Sequence, residues 1–407
     1  MTPRIAILGA GAGGIAMAVA LRDAGMSDVT ILEKSDGFGG TWRDNTYPGC
    51  ACDAPSHLYS FSFAPNPDWS RKFADQPEIL DYMERVALDH RLDRSTRFGS
   101  EVASLEWDDD RATWEVRTVA GERLEFDVVV AALGQLNRPG LPDIPGLETF
   151  TGTAFHSARW NHDHDLVGRR VAVIGNGASA VQFVPEVAAE AAHVTIFQRS
   201  ANWIMPKPDR EFRRSERWAF RHVPGLRRAY RASIYARFES RFMLFRRGSR
   251  LGRSVARVMR RQLEPIVRDE ITEEMVVPDY PPGCKRILIS NDYLDTLHRP
   301  DVSVTTAPIV AVDATAVLTA DGGRHEVDTI IFGTGFESTS FLAPVEVTGR
   351  AGRSLSEVWE KGATAYLGMA MPEFPNLFLL YGPNTNLGHN SIIFMLECQA
   401  RFTASIL

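Results

Sequence analysis

Two glycine-rich turns in this chain have the spacing that could bind a dinucleotide. Gly9, Gly11 and Gly14 form a G-x-G-x-x-G turn between the apolar run 5–8 and a helix-prone stretch. Glycines at this spacing allow a tight turn and let the backbone approach a pyrophosphate at a helix N-terminus. Glu33 lies 19 residues after Gly14, at the end of the next predicted strand, where a carboxylate accepts hydrogen bonds from ribose hydroxyls. The first turn therefore predicts a site for FAD or NAD.

A second turn repeats the pattern 166 residues later, with the opposite charge at its far end. Gly175, Gly177 and Ala180 form G-x-G-x-x-A, and Arg199 stands 19 residues after Ala180. A carboxylate repels the 2′-phosphate of NADP, whereas a guanidinium pairs with it. The second turn, which Ala178 and Ser179 complete, therefore predicts an NADP site. The alternative interpretation of Arg199 is a solvated surface charge.

Two dinucleotide sites with opposite ribose chemistry indicate electron transfer between two cofactors. The simplest pairing is FAD at the first turn and NADPH at the second, because only the second offers a cation to a 2′-phosphate. The spacing and the charges thus predict a flavin oxidoreductase.

The elements that must position these residues follow the order strand, turn, helix, strand twice. Apolar patterns predict helices over 15–23, over 181–190 and from about Ser391, and strands over 5–8, 29–32, 126–131, 170–174, 193–197, 327–332 and 376–381. Repeated βαβ units favour parallel sheets covered by helices. The predicted fold class is α/β, with two Rossmann-like dinucleotide-binding domains, one for FAD and one for NADP, and a helical insertion.

A Pro/Gly-rich connector over 138–146 marks a predicted domain boundary. We expect an FAD-binding domain made of 1–140 and 328–407, an NADP-binding domain made of 150–208 and 280–327, and an Arg-rich helical insertion over 209–279.

Composition limits the class of protein. The chain has 407 residues, of which 44% are apolar and 24% charged, so it has ample material for a globular core and is unlike a disordered chain. Its net charge of −6 argues against a general affinity for nucleic acid. Four cysteines suit a reducing compartment. No secretory signal and no long apolar span stand out, so the predicted location is the cytoplasm.

A segment after the connector resembles a known family. Phe150, Gly152, His156 and Trp160 stand in the order F-x-G-x-x-x-H-x-x-x-W. This resembles the signature of Baeyer–Villiger monooxygenases, a branch of the class B flavin monooxygenases, although Asn161 replaces the Pro or Asp usual after the Trp. Further stretches are similar to the same family over nearly all of the chain except its Arg-rich middle, namely 39–42, 47–53, 284–302, 333–336 and 381–390.

The resemblance implies an enzyme that uses FAD and NADPH to insert one oxygen atom of O₂ next to a ketone carbonyl. The product would be an ester or lactone, formed through a flavin peroxide, and the partners would be dioxygen and an apolar small molecule, a ketone. The catalytic residues implied are Arg286, its ion-pair partner Asp53, His156 and Trp160. Read without the family, His156 is a hydrogen-bonded histidine between domains.

The resemblance also implies which residues bind the two cofactors. At the flavin these are Gly40, Thr41, Trp42, Cys52, Asp53, Tyr59, Val102 and Asn390. At the 2′-phosphate they are Arg199 and Lys285, with Gln198 and Ser200 nearby. Arg286 is also implied as a cofactor-binding residue, which would stabilise the anionic flavin peroxide. The pair Cys50 and Cys52 does not have the C-x-x-x-x-C spacing of disulfide reductases, so packing is favoured over a redox role. No spacing of His and Cys predicts a metal site.

The segment from Lys207 to Arg261 holds 18 Lys and Arg against 4 Asp and Glu, a local charge of +14. Aromatic residues alternate with the arginines. The simplest interpretation is a solvated helical subdomain offset by the acidic remainder of the chain, and peripheral membrane contact through 209–261 or an apolar substrate tunnel is the alternative. Nucleic acid is not an expected partner, and the oligomeric state stays open.

Other functions compatible with the sequence stay open as well. The same cofactors serve N- or S-oxygenating monooxygenases, although Trp160 favours the Baeyer–Villiger branch. The chain ends at Leu407, within the helix predicted after the flavin loop, whereas family members usually continue with residues that help to close the active site. A native short end would favour an uncoupled NADPH oxidase or a non-catalytic flavin-binding protein. The identity of the ketone is not encoded in any motif.

Overall fold

The computed structural model describes residues 2–242, 250–267 and 272–407. Its α-helices are α1 Ala12–Asp23, α2 Thr41–Asp44, α3 Gln76–Asp89, α4 Ala178–Glu190, α5 Arg214–His222, α6 Leu226–Ser240, α7 Arg250–Leu263, α8 Glu273–Val276, α9 Tyr293–Thr296, α10 Leu355–Val358 and α11 Ile392–Ile406. Short 3-10 helices span Leu92–Ser95, Leu147–Thr149, Ser157–Arg159, Glu264–Ile266 and Arg350–Gly352.

The strands fall into two large sheets and three small ones. They are β1 Ile5–Leu8, β2 Val29–Leu32, β3 Thr96–Arg97, β4 Val102–Asp108, β5 Thr113–Thr118, β6 Arg123–Phe126, β7 Val128–Ala131, β8 Thr153–His156, β9 Arg170–Ile174, β10 His193–Phe197, β11 Ile204–Met205, β12 Leu288–Ile289, β13 Val302–Thr305, β14 Ile309–Val312, β15 Ala316–Thr319, β16 Arg324–Glu326, β17 Thr329–Phe332, β18 Glu346–Thr348 and β19 Leu377–Leu379.

The first sheet is parallel and has the strand order β19-β7-β1-β2-β3. Its central strands are continuous apolar runs because helices or loops cover both faces: Ile5 to Leu8 are all fully buried. Helix α1 packs against α11 over one face. The carboxyl end of β1, where the first glycine turn begins, is the edge at which parallel sheets bind ligands.

The second sheet repeats the architecture of the first. Its strands, all parallel, run in the order β13-β10-β9-β17-β8, so β9, β10, β13, β17 and β8 take the places of β1, β2, β3, β7 and β19. In each unit an antiparallel meander, β4–β6 or β14–β16, precedes the strand that returns beside the first one. The predicted α/β fold with two Rossmann-like units is therefore confirmed, and the repeat extends well beyond the two glycine turns.

One predicted strand and one predicted domain boundary differ from the structure. The run 126–131 is not one strand, because Phe126 closes the meander strand β6 while β7 begins at Val128. Asp127 lies between them, and its carboxylate accepts hydrogen bonds from the backbone and guanidinium of Arg4. In addition, β17 pairs with β8 and β9, so the second unit extends to Phe332, beyond the boundary expected at 327. The remainder of the domain division stays a prediction.

Most of the described part of the Arg-rich segment is helical, as α5, α6 and α7. Residues 243–249 and 268–271 of this predicted insertion lie outside the described residues. Among the helices that the structure describes, none combines the length and apolar character needed to cross a bilayer.

Candidate active site

A cavity of about 720 Å³ has walls from both glycine turns. The structure brings fifteen of the sequence-predicted site residues to its lining: Gly9, Gly11, Glu33, Gly40, Thr41, Trp42, Cys52, Asp53, Tyr59, Val102, Gly177, Ala178, Ser179, Arg286 and Asn390. The other predicted residues are not part of the lining: Gly14, His156, Trp160, Gly175, Ala180, Gln198, Arg199, Ser200 and Lys285. Residues more than 300 positions apart thus meet in one space.

The first glycine turn leaves room for a ligand's phosphates. Gly9 has a φ of +100°, and a Cβ there would lie 2.9 Å from the carbonyl oxygen of Ala132. A Cβ on Gly14 would lie 1.9 Å from the carbonyl oxygen of Gly9, so the turn can form only with glycine at both places. Helix α1 follows Gly11 with no side-chain cap and no acidic residue in its first turn. Its first N–H groups and its dipole are therefore available to an anion.

Glu33 is fixed at the end of β2 beside this turn. It is buried, and its two carboxylate oxygens accept hydrogen bonds from the backbone N–H groups of Ala10 and Ser35, at 2.6 and 2.8 Å. Each oxygen retains lone-pair capacity for a further donor. A carboxylate held rigidly at the cavity wall suits a ribose diol and disfavours a 2′-phosphate.

An aromatic pair, Trp42 and Tyr59, and two thiols, Cys50 and Cys52, form another part of the cavity wall. The indole Nε1 of Trp42 donates to the hydroxyl of Tyr59 at 2.9 Å, with the rings edge to face at 5.6 Å. Burial raises the pKa of Cys50 to about 11 and that of Cys52 to about 12. Both are free thiols, and as neutral groups they behave as small apolar side chains in this wall.

Asp53 and Arg286 meet at the cavity. The Arg286 Nη2 lies 3.9 Å from the Asp53 Oδ2, and the Arg286 side chain is about half exposed. Gln182, on α4, donates to Asp53 Oδ1 at 3.2 Å. Burial raises the pKa of Asp53, against the opposing charges of Arg286 and Lys207 and the hydrogen bond from Gln182. The guanidinium of Arg286 therefore lies at the open space, with the carboxylate of Asp53 on its inner side.

The second turn has the same geometry as the first. Gly175 has a φ of +105°, and a Cβ there would lie 2.5 Å from the carbonyl oxygen of Gly333. This matches the first turn, in which a Cβ on Gly9 would meet the carbonyl oxygen of Ala132. Helix α4 follows Gly177, again without a side-chain cap or an acid in the first turn. A second anion-binding helix start thus faces the cavity.

Cations gather where β10 ends. Arg199 is exposed, and the Lys285 Nζ donates to the hydroxyl of Ser200 at 2.9 Å. Gln198 is buried, and its amide is occupied by Asn176 and the carbonyl oxygen of Met275, at 2.6 and 2.7 Å. Arg199, Ser200 and Lys285 therefore offer donors to a phosphate, whereas Gln198 shapes the turn that presents them.

His156 and Trp160 are not at the cavity. His156 is buried against the ring of Phe336, its Nδ1 accepts the Ala158 N–H at 3.0 Å, and burial lowers its pKa. Trp160 packs between Phe155 and Phe183, with ring centroids 5.2 and 5.5 Å away. Both side chains thus pack against other aromatic rings. Their catalytic roles stay predictions.

Gln182 and Asp44 are among the cavity residues that were not anticipated from the sequence. Gln182 bridges the two units, and Asp44 faces Arg159 across 4.0 Å at the cavity edge. Burial raises the pKa of Asp44. Gln182 lies on the side of α4 that faces away from the buried positions of this helix, so the helical pattern gave no signal for it.

The two turns fit the two cofactors, because each has a cradle that a Cβ would fill and an uncapped helix start. The flavin-binding monooxygenase-like family model matches residues 2–348. A Baeyer–Villiger monooxygenase of Pseudomonas aeruginosa is 44% identical over 404 residues, which are 99% of this chain and 77% of that protein. The chain belongs to the Baeyer–Villiger branch of the flavin-binding monooxygenases.

Solved structures of this branch superimpose closely. A cyclohexanone monooxygenase from Rhodococcus bound to NADP⁺ has a TM-score of 0.88 at 30% identity, covering 99% of this chain and 83% of that one. The OTEMO complex with FAD and NADP has a TM-score of 0.89 at 28% identity, covering 99% and 85%. This monooxygenase is accordingly an enzyme that uses FAD and NADPH.

Proposed function

We propose that this monooxygenase converts a ketone to an ester or lactone. The ketone, O₂, NADPH and a proton would give the ester, water and NADP⁺, so that one oxygen atom enters the carbon–carbon bond beside the carbonyl and the other leaves as water. The observation that carries the proposal is the Arg286–Asp53 pair, placed in the cavity that both dinucleotide turns share.

Arg286 would act on the charge that develops during oxygen insertion. Bound FAD supplies the hydride acceptor and the activation of dioxygen. The guanidinium of Arg286 stabilises negative charge on the substrate carbonyl oxygen, because a fixed cation in a partly dry cavity interacts more strongly than one in water. Asp53 and Gln182 restrict where that cation can lie.

The surrounding residues bind and shield. Gly9, Gly11 and α1 would hold the flavin's pyrophosphate, and Glu33 its ribose. Arg199 and Lys285 would hold the 2′-phosphate of NADPH. The neutral thiols Cys50 and Cys52, with the Trp42–Tyr59 pair, give the flavin side a wall with little affinity for water.

Other assignments remain proposals of the same kind. Residues 1–140 with 333–407 would bind FAD, and 150–208 with 280–332 would bind NADP. An apolar ketone is the proposed substrate. Peripheral membrane contact through the described part of 209–261 and a cytoplasmic location remain predictions.

The test replaces Arg286 by Ala and measures three quantities with a ketone panel under ¹⁸O₂: NADPH oxidation, labelled ester and hydrogen peroxide. We expect ester formation to fall by roughly 100-fold or more, the size typical of losing one charge-stabilising donor, while NADPH oxidation continues and appears as peroxide. Arg111→Ala, in an exposed ion pair of the meander, is the control and should match the parent protein.

Three outcomes would contradict the proposal. The first is labelled ester at the parent rate from Arg286→Ala. The second is a parent protein that oxidises amines or sulfides but no ketone, which would indicate heteroatom oxygenation. The third is a parent protein that converts all NADPH to peroxide, which would indicate an oxidase.

A further inference from the structure

One arginine of the Arg-rich segment is directed into the protein rather than toward solvent. Arg231, on α6, places its Nη1 at 2.6 Å from the carbonyl oxygen of Ser60, 3.0 Å from that of His57 and 3.2 Å from that of Leu58. These three carbonyls flank Tyr59, which lines the cavity. The loop that carries Tyr59 is therefore folded around a guanidinium from another segment of the chain.

The charge is what this contact needs. Three carbonyl oxygens converge on a nitrogen that carries two hydrogens, so their partial negative charges face one another and a cation offsets them. The Arg231 Nη2 is buried and has no hydrogen-bond partner among the described residues. Burial lowers the pKa of Arg231, and the carboxylate of buried Glu397, which accepts the Ser62 N–H, opposes that shift.

The same loop supports the aromatic wall of the cavity. The Tyr59 hydroxyl accepts the hydrogen bond from Trp42, and its half-buried ring packs against the hydrophobic core. Leu58 is fully buried and packs against Ile234 and Phe238 of α6. A shift of this loop would therefore move the Trp42–Tyr59 pair.

Helix α6 also contacts a second segment that contributes to the cavity. The Glu239 carboxylate accepts a hydrogen bond from the Asn390 amide at 2.9 Å, and Tyr235 lies 4.8 Å from the ring of Phe394. Asn390 lines the cavity. One helix thus contacts two chain segments, 57–60 and 389–394, which also touch each other, because the Ser391 hydroxyl donates to the Leu58 carbonyl oxygen at 3.2 Å.

We propose that Arg231 is a positioning residue of the flavin site, which fixes the Tyr59 loop through its three carbonyls and so couples the Arg-rich insertion to cofactor binding. The inference rests on the proposed placement of FAD beside Tyr59. It gives part of the +14 segment a role inside the protein, which neither a solvated face nor a membrane contact would require.

The test compares Arg231→Met, Arg231→Lys and the control Arg228→Met, which lies on the exposed side of α6 one turn earlier. Two measurements are made on the full chain: FAD dissociation by flavin fluorescence, and amide hydrogen exchange over residues 57–62 with and without FAD. The exchange readout works because the N–H groups of Leu58, Tyr59 and Phe61 are hydrogen-bonded in the folded loop, the first two to Pro55 and the third to Tyr82.

We expect Arg231→Met to weaken FAD binding by about tenfold or more and to speed exchange over 57–62 by a similar factor, because a charge-assisted contact is lost. Exchange over 178–190 should stay unchanged. Arg231→Lys should recover part of both effects, since it restores the charge but not the planar fork. Arg228→Met should match the parent.

The proposal fails if Arg231→Met keeps parental FAD affinity and parental exchange, or if Arg228→Met produces the same loss. If Arg231→Met does not fold, Arg231→Lys carries the test: faster exchange over 57–62 and weaker FAD binding than in the parent would support the proposal, and parental values of both would contradict it. A parent protein without FAD affinity would overturn the proposed function instead, and the exchange comparison without FAD would still decide the Arg231 contact.

Discussion

Asp53 shows how one residue can serve the site at a cost to stability. Its carboxylate is buried beside the cavity, and one amide hydrogen bond and a cation 3.9 Å away do not replace the lost hydration, so its pKa lies above the ordinary value. A folded-state pKa above the unfolded one favours folding at low pH. The advantage is complete below the ordinary pKa near 4 and disappears as the pH rises through the raised value.

Replacing Asp53 by Asn should therefore stabilise the protein at neutral pH. The amide keeps an oxygen for Gln182, and the half-exposed Arg286 is left to water, so we expect the free energy of unfolding to rise by about 1 kcal/mol at pH 7. The gain should shrink as the pH falls, because the folded protein protonates Asp53 at a higher pH than the unfolded chain does. Thermal unfolding at several pH values measures it, with Asp81→Asn, in an exposed pair with Arg85, as the control that should show no gain. An Asp53→Asn variant that is less stable than the parent at pH 7 would contradict this account.

The chemistry of single residues was only partly predictable. The charges that distinguish the two ribose sites follow from strand ends, which periodicity and glycine spacing locate well. Arg286 and Asp53 are 233 positions apart, and only the family resemblance paired them. Arg231 could not be separated from its neighbours, because a buried arginine and a solvated one look the same in a helical pattern.

At the scale of elements, the strand–turn–helix units were predictable because the constraint on them is local. A glycine at positive φ is required just after β1 and just after β9. In both places a Cβ would meet the carbonyl oxygen of the residue that follows the neighbouring strand, Ala132 after β7 and Gly333 after β17. The strand Phe126–Ala131 was wrong because its break depends on Asp127 contacting Arg4, a partner more than 120 residues away. Long-range contacts of this kind leave no periodic signal.

Adjacent glycines in α1 give a matched test of the first turn. Gly14→Ala would place a Cβ 1.9 Å from a backbone oxygen, whereas Gly13→Ala would meet the side chains of Ala132 and Leu396 at 3.3 and 3.4 Å. We expect Gly14→Ala to lose FAD and at least ~2 kcal/mol of stability, since the backbone must move. Gly13→Ala should stay within about 1 kcal/mol of the parent, because alanine's helix propensity offsets the tight contact. FAD content and thermal unfolding measure both, and equal losses would show that the turn is not specific to Gly14.

At the scale of the whole molecule, two similar units must exchange a hydride, so their relative position matters as much as either site. The stretch that follows the F-x-G-x-x-x-H-x-x-x-W motif contributes to the seam between the two units, since the Thr46 hydroxyl lies 2.7 Å from the His162 Nε2. The centre of the seam is Gln182. Gly49 packs so closely on its helix that a Cβ would lie 2.7 Å from the Gln182 carbonyl oxygen.

The side chain of Gln182 uses all of its hydrogen-bonding capacity across this seam. It donates to the Ala51 carbonyl at 3.0 Å and to Asp53 at 3.2 Å, and it accepts from the Tyr47 hydroxyl at 3.0 Å and the Ala51 N–H at 3.3 Å. One amide thus ties the NADP-side helix α4 to the flavin-side loop that carries Asp53.

Gln182→Leu should therefore disturb the reaction between the two cofactors more than the binding of either one. We expect FAD content and NADPH affinity to change by less than about threefold, while hydride transfer slows and more NADPH is lost as peroxide. The free energy of unfolding should fall by about 2 kcal/mol, because buried polar groups are left unpaired. Stopped-flow reduction and a double-mutant cycle with Tyr47→Phe measure this, and the cycle should be non-additive because the two side chains share one bond. Glu190→Leu, about two helical turns later and exposed, is the control. Strict additivity, or parental hydride transfer in Gln182→Leu, would mean that the two units are held in register elsewhere in the seam.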